Sequence, residues 1–270
     1  MLRQLREDAG LTAEQVGIHL TCHASKVGRI ENGRSGVRML DLNVMLDLYG
    51  LKDQEARDRL VELAKESKKR GWWRVYDDVM KPGLAEYISL ESAASQISTF
   101  QPMLIPGLLQ TEDYVRAIMQ GGRKLPSDEI ERRVRLRLER QEWFDATGAH
   151  MWAVIGEAAL RNQVGGPPVM REQVKRLLAA ADGPEVTLQV LPFDVGAHPA
   201  IGSAFVILSF QERTEGDVIL VEAMTSSIYL ETEEQLDQYK FAFNHLRAAA
   251  LAPRQTQEFL QRTLTDYSAR

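Results

Sequence analysis

Apolar residues in the first seventy positions recur three and four apart, and each run is bounded by a residue that starts or stops a helix. Leu2, Leu5 and Ala9 share one helical face, and Gly10 ends that segment. Thr12 is placed to cap a second helix, whose inner face is Ala13, Val16, Gly17 and Leu20. After a break at Thr21, Cys22 and His23, a third helix is predicted over Ala24–Glu31, burying Val27 and Ile30 and ending at Asn32-Gly33. Asp41 is expected to cap a fourth helix through Tyr49. Asp53 is expected to cap a fifth, with Ala56, Leu60, Leu63 and Ala64 at helical spacing.

The pattern loosens after the charged run at residues 65–73, which marks a domain boundary near residue 70 and reads as a solvated helix end. Residues 72–146 read as mainly helical, with Ile88, Ala93, Ala94 and Ile97 near one face of a single helical stretch. Pro106-Gly107 interrupts the next apolar segment, and Thr111 caps the helix that follows. A long helix then carries a stripe at Ile130, Val134, Leu138 and Trp143. Its arginines 132, 133, 135, 137 and 140 interleave with glutamates, as on an ion-paired surface helix. Beyond residue 150 the period shortens. VTLQVLPF, AFVILSF, VILVEAM and SSIYLE are short strand-like runs, and the chain ends in helix. The expected class is α+β: an all-α five-helix domain at 1–70, then a 71–270 domain, helical to about 150 and afterwards a mainly antiparallel α+β sheet.

Composition narrows this picture modestly. With 44% hydrophobic and 26% charged residues in 270, the chain can bury proper cores. One cysteine, Cys22, excludes an intrachain disulfide and a multi-cysteine zinc site. The uncharged stretch 92–111 contains Ser, Gln, Thr and two prolines, so it lacks the apolar length needed to span a bilayer. No secretory pattern opens the sequence, and a soluble cytoplasmic protein is expected. The net charge of −5 divides into +2 over residues 1–70 and −7 over 71–270. The sign of the first segment suits a nucleic-acid partner, although an excess of two cannot establish one.

Two short helices joined by a tight turn inside a five-helix cluster form a helix-turn-helix, whose second helix fits the major groove. Ser25, Lys26 and Arg29 are expected to point away from the Val27/Ile30 face. Ser25 and Lys26 then approach base edges, while Arg29, Arg34 and Arg38 lie nearer phosphates, and His23 and Asn32 complete the expected DNA-binding set. A small helical bundle used for protein contacts fits the same spacing.

LRQLREDAGLTAEQVGIHL followed by SKVGRIENG resembles the lambda-repressor-like, xenobiotic-response-element (XRE) family of DNA-binding domains, and RIENG at 29–33 is the most specific part. The resemblance implies an internal Arg6–Glu31 salt bridge and double-stranded DNA as partner. Where that family places a turn glycine, this chain has Thr21; Ala13, Ala24 and Gly28 also stand where polar side chains are common.

Chemistry in the remaining two hundred residues is sparse. Glu157, His198 and Glu222 are the acid–base candidates, but no metal-spaced histidines, Gly-x-Ser-x-Gly or phosphate-cradling glycine loop accompanies them. No enzyme activity, catalytic residue, metal or cofactor is therefore expected. Loops at 102–110 and 193–203 are candidates to line a ligand site anchored by Glu157 and His198, and Trp72, Trp73 and Leu104 are candidates for a partner surface. FQPMLIPGLLQTEDYVRAIM, RLERQEWF, GEAALRNQVGGPPVMREQVKRLL and VTLQVLPFDVGAHPAIGSAFVILSF resemble actinobacterial regulators of the WhiJ-like type. That resemblance implies transcription regulation, with a small acidic partner protein encoded next to it in an antitoxin-like arrangement. A homodimer placing two recognition helices in successive major grooves is expected from the helix-turn-helix itself, and a small-molecule effector at the C-terminal loops is the alternative to the protein partner.

Overall fold

The computed structural model describes residues 2–31, 37, 39–69, 71–122, 124–210, 216–223 and 226–269, without the side chains of 62, 63 and 65–69. The chain separates into two compact units, Met1–Val75 and Tyr76–Arg270.

The first unit contains five helices: α1 (Leu2–Asp8), α2 (Ala13–His19), α3 (Ala24–Glu31), α4 (Met39–Leu48) and α5 (Gln54–Lys69). Their limits follow from local chemistry. Gly10, at φ +68°, closes α1. The Thr12 hydroxyl accepts from the Gln15 N–H while the Gln15 side chain accepts from the Thr12 N–H, a reciprocal cap that starts α2. Asp53 accepts from the N–H groups of Glu55 and Ala56 and starts α5. Asp41 differs from expectation: α4 begins two residues earlier, at Met39, so Asp41 lies in its first turn, buried, with Lys26 Nζ 3.7 Å from its carboxylate. Val16, Val27, Ile30, Leu42, Met45, Leu46 and Leu60 form the core. The predicted stop at Asn32-Gly33 and the Leu63 side chain lie outside the described residues.

The second unit is α+β. Its elements are α6 (Leu84–Ala93), β1 (Gln96–Gln101), α7 (Glu112–Gly121), α8 (Ser127–Thr147), β2 (His150–Gly156), α9 (Glu157–Arg161), α10 (Pro167–Asp182), β3 (Val186–Leu191), β4 (Phe205–Ser209), β5 (Val218–Glu222), β6 (Ser227–Leu230), α11 (Glu233–Ala249) and α12 (Pro253–Ser268). The strands form one sheet in the order β3-β2-β1-β4-β5-β6. β3, β2 and β1 run parallel, whereas β4, β5 and β6 are antiparallel to their neighbours. Three of the five pairings are therefore antiparallel, and the sheet is mixed, because helical crossovers join β1 to β2 and β2 to β3.

The central strand corrects the helical reading of residues 87–100. α6 ends at Ala93 and QISTFQ becomes β1, with Ile97 opposite Met151 on one side and Leu208 on the other. Alternation then divides the sheet faces. Ile97, Met151, Ala153, Leu188, Val190, Val206 and Leu220 pack beneath α6, α8, α10 and α12. Phe100, Val154, Leu191, Phe205, Ile207 and Ile219 pack beneath Leu236, Phe243 and Leu246 of α11. Two apolar faces, each covered by helix, produce a three-layer unit.

Strand direction also sorts the loops. β1, β2 and β3 end side by side, since Gln101 pairs with Ile155 and Gly156 with Leu191. Residues 102–106, the start of α9 and residues 192–204 therefore share the carboxyl edge of the parallel strands. The last of these segments passes the ends of β2 and β1 to reach β4.

Candidate functional sites

In the first unit, α2 and α3 meet closely enough that Gly17 is required. A Cβ at that position would stand 2.7 Å from the Cys22 carbonyl oxygen and 3.3 Å from the Ala24 nitrogen. The turn between them places Thr21 at φ +53°, the left-handed region that glycine tolerates and a β-branched residue does not favour. His23 precedes α3, its Nδ1 3.0 Å from Ser25 Oγ and 3.4 Å from the Ser25 N–H that donates to it. The result is two short helices locked across a strained tight turn.

The clasp inferred from resemblance is present. Arg6 Nε donates to both Glu31 oxygens, at 2.9 and 3.1 Å, and Arg6 Nη1 donates to the Leu11 carbonyl at 2.8 Å. Tyr49 OH, just past the end of α4, adds a second donor to Glu31 at 2.8 Å, tying that helix end to α1 and α3. Burial, with the Glu31 carboxylate beside it, raises the Tyr49 pKa far above its ordinary value. The hydrogen bond to Glu31 raises that of Arg6.

Among the expected reading residues, His23 is exposed, and Ser25 and Lys26 are partly buried. Arg29 is corrected: only 8% of it is exposed, beside the core residue Ile30. α3 contacts α1 through Glu31, α2 through Gly17 and α4 through Asp41, and Arg29 is buried rather than presented on an open face. Asn32, Arg34 and Arg38 lie outside the described residues.

In the second unit, Glu157 opens α9. One oxygen accepts from Arg161 at 3.1 Å and the other from the Phe193 N–H at 3.1 Å, pinning residues 192–204 to the end of β2. His198 on that segment packs edge-on against Phe100, centroids 5.5 Å apart, and burial lowers its pKa. The structure thus brings both expected ligand residues to the same sheet edge, each engaged with its own neighbour. Glu222 ends β5, exposed. Leu104 is 41% exposed, whereas Trp72 and Trp73, stacked edge-on at 5.7 Å, are partly buried in the first unit.

A polar group that sequence reasoning assigned to the surface lies beneath α8. Arg132 and Arg133 do form surface pairs, with Asp78 and Glu129. Arg140, by contrast, turns inward to Glu91 of α6, Nε to Oε1 at 2.7 Å and Nη2 to Oε2 at 3.2 Å, over the Tyr87 ring. Arg137 Nη1 donates to Gln110 Oε1 at 2.5 Å. Buried glutamines hold the loop after β1. Gln110 donates to Ile105 O, Gln141 to Gly107 O and Gln110 O, and Gln173 to Leu109 O. Trp143, expected in the stripe, is 46% exposed, and Phe144 takes the core position. The missed signal is the series Ile130, Val134, Arg137, Gln141 and Phe144, a three-four repeat with polar members in its middle.

Residues 84–262 match the family described as a domain of unknown function (DUF5753), and residues 1–60 match a helix-turn-helix domain. The chain belongs to the DUF5753 family. The helix-turn-helix match, XRE-like in sequence, points the DUF5753 chain to DNA-binding regulation rather than catalysis. No curated protein and no solved structure matches it. Among the described residues, no helix is long and apolar enough to cross a membrane, and no group of three or more His, Cys, Asp or Glu is placed to hold a metal ion.

Proposed function

We propose that this chain is a sequence-specific, cytoplasmic transcription regulator of the WhiJ-like type, acting as a homodimer on double-stranded DNA. Residues 1–70 are its reader and 71–270 its regulatory domain. The observation that carries the reading is the locked α2–turn–α3 pair in a region matching a helix-turn-helix domain. In this reading His23, Ser25 and Lys26 face base edges at the start of α3, and Asn32, Arg34 and Arg38 supply phosphate contacts. Arg29, being buried, supports the helix instead. Two copies engage half-sites about 34 Å apart. A small ligand or a small acidic partner at the C-terminal domain changes their spacing, a coupling of about 1–3 kcal/mol.

The test is binding to DNA flanking the protein's own gene at two salt concentrations, with and without the neighbouring small protein. Site-selective binding that falls steeply with salt supports the regulator. Lys26→Ala should weaken it by about 1–3 kcal/mol, and unchanged affinity removes the base-reading role. A second reading, an antitoxin-like or scaffold protein with a weakened reader, draws on the fact that no residue of α3 is fully exposed. Weak, sequence-indifferent binding would favour it.

A further inference from the structure

Near the carboxyl edge of β1 lies a cation that, among the described residues, has no ion-pair partner. Arg140 is answered by both oxygens of Glu91. Arg137, three residues earlier on the same helix, meets the neutral oxygen of Gln110, and among the described residues no carboxylate forms an ion pair with it. Gln110 cannot turn its amide away, because its nitrogen donates to the Ile105 carbonyl at 2.6 Å. Both guanidinium groups lie against bare backbone at Gly107, where a Cβ would come within 3.2 Å of Arg140 Nη2 and 3.7 Å of Arg137 Nη1.

The surroundings of Arg137 combine desolvation with access. Burial, followed by the Arg140 charge, lowers its pKa to about 10 against the pull of Glu222 and Glu91. The residue is nevertheless only partly buried. An arginine kept for structure is ordinarily paired when its charge is taken out of water. One that is desolvated, reachable and beside a second cation is disposed to receive an anion. Its place agrees: it lies by the loop that follows β1, at the edge where the parallel strands end, and open sheets bind ligands outside the carboxyl ends of such strands.

We propose that Arg137, with Gln110 and Arg140 beside it, binds the oxyanion of a small monoanionic carboxylate or phosphate ligand at this edge of the sheet. The planar guanidinium engages two oxygens of such a group at once. The charge of Glu222, which acts on both arginines, disfavours a dianion. The site deepens the effector reading and rests on it only for the consequence to DNA binding.

The test uses the full chain and its melting temperature. Removing an unneutralised charge relieves the empty protein, so Arg137→Met should melt about 3 °C higher. A fall would mean that Arg137 serves structure, and would overturn the proposal. Benzoate and inorganic phosphate, each at tens of millimolar and slightly acidic pH, should raise melting above chloride at matched ionic strength. The rise should vanish in Arg137→Met and persist in Arg135→Gln, which alters an exposed arginine of the same helix. A rise with benzoate alone identifies a carboxylate ligand and with phosphate alone a phosphate ligand; a rise with neither, or one that survives in Arg137→Met, overturns the site. A melting shift without any change in operator affinity would leave the site standing and remove its effector role.

Discussion

Arg6 reaches Glu31 in the first unit while Tyr49 donates to the same carboxylate and the Leu11 carbonyl takes another Arg6 donor, joining three helices with matched partners. In the second unit Arg140 reaches Glu91 just as directly, joining α6 to α8, but Arg137 stands beside it with only an amide oxygen. The first cluster is complete and accounts for itself as a clasp. The second contains a clasp and something in excess of one. Buried charge is costly unless paired, so the two clusters separate what holds a fold from what the fold holds ready.

That contrast can be broken at its strongest point first. Arg140→Met leaves Glu91, with 4% of its side chain exposed, without its cation, and should cost about 3–5 kcal/mol in urea denaturation. A loss under about 1 kcal/mol would mean that the pair is no clasp. Arg6→Ala should cost about 3 kcal/mol, since Glu31 keeps Tyr49 but loses its charge partner. An unshifted calorimetric transition for the N-terminal unit would refute this. Gly17→Ala forces backbone apart where α2 meets α3 and should destabilise by about 2 kcal/mol; hydrogen exchange in α2 and α3 would accelerate together. Thr21→Gly is the smallest effect and has the opposite sign. Relief of the left-handed threonine should add about 1 kcal/mol, seen as a higher melting point.

The first unit was legible because its helix limits are written in single residues: Gly10, Thr12 and Asp53 act within three positions of themselves. Asp41 and Arg29 escaped because their settings are tertiary. Lys26 reaches Asp41 from another helix, and Arg29 is buried where an outward position was expected. β1 escaped for a similar reason. Ala93 and Ala94 carry no stop signal, and the strand exists through partners more than fifty residues away in β2 and more than a hundred away in β4. The expected ligand loops did come to one edge, because loops that follow parallel strands must. Arg137 was hidden by its own company: on a helix crowded with ion pairs, an inward arginine looks like another surface partner until spacing is given precedence over charge.

The path of residues 192–204 also bears on how the chain is made. Strand order departs from synthesis order where this segment passes two strand ends, so β1 waits for β4 until more than a hundred further residues have been added. A growing chain that has finished β3 holds three parallel strands with the backbone edge of β1 unpaired. Such an edge invites another nascent chain. Termination just before Phe205 should therefore release an aggregating fragment, whereas a break after β6 would leave every strand paired.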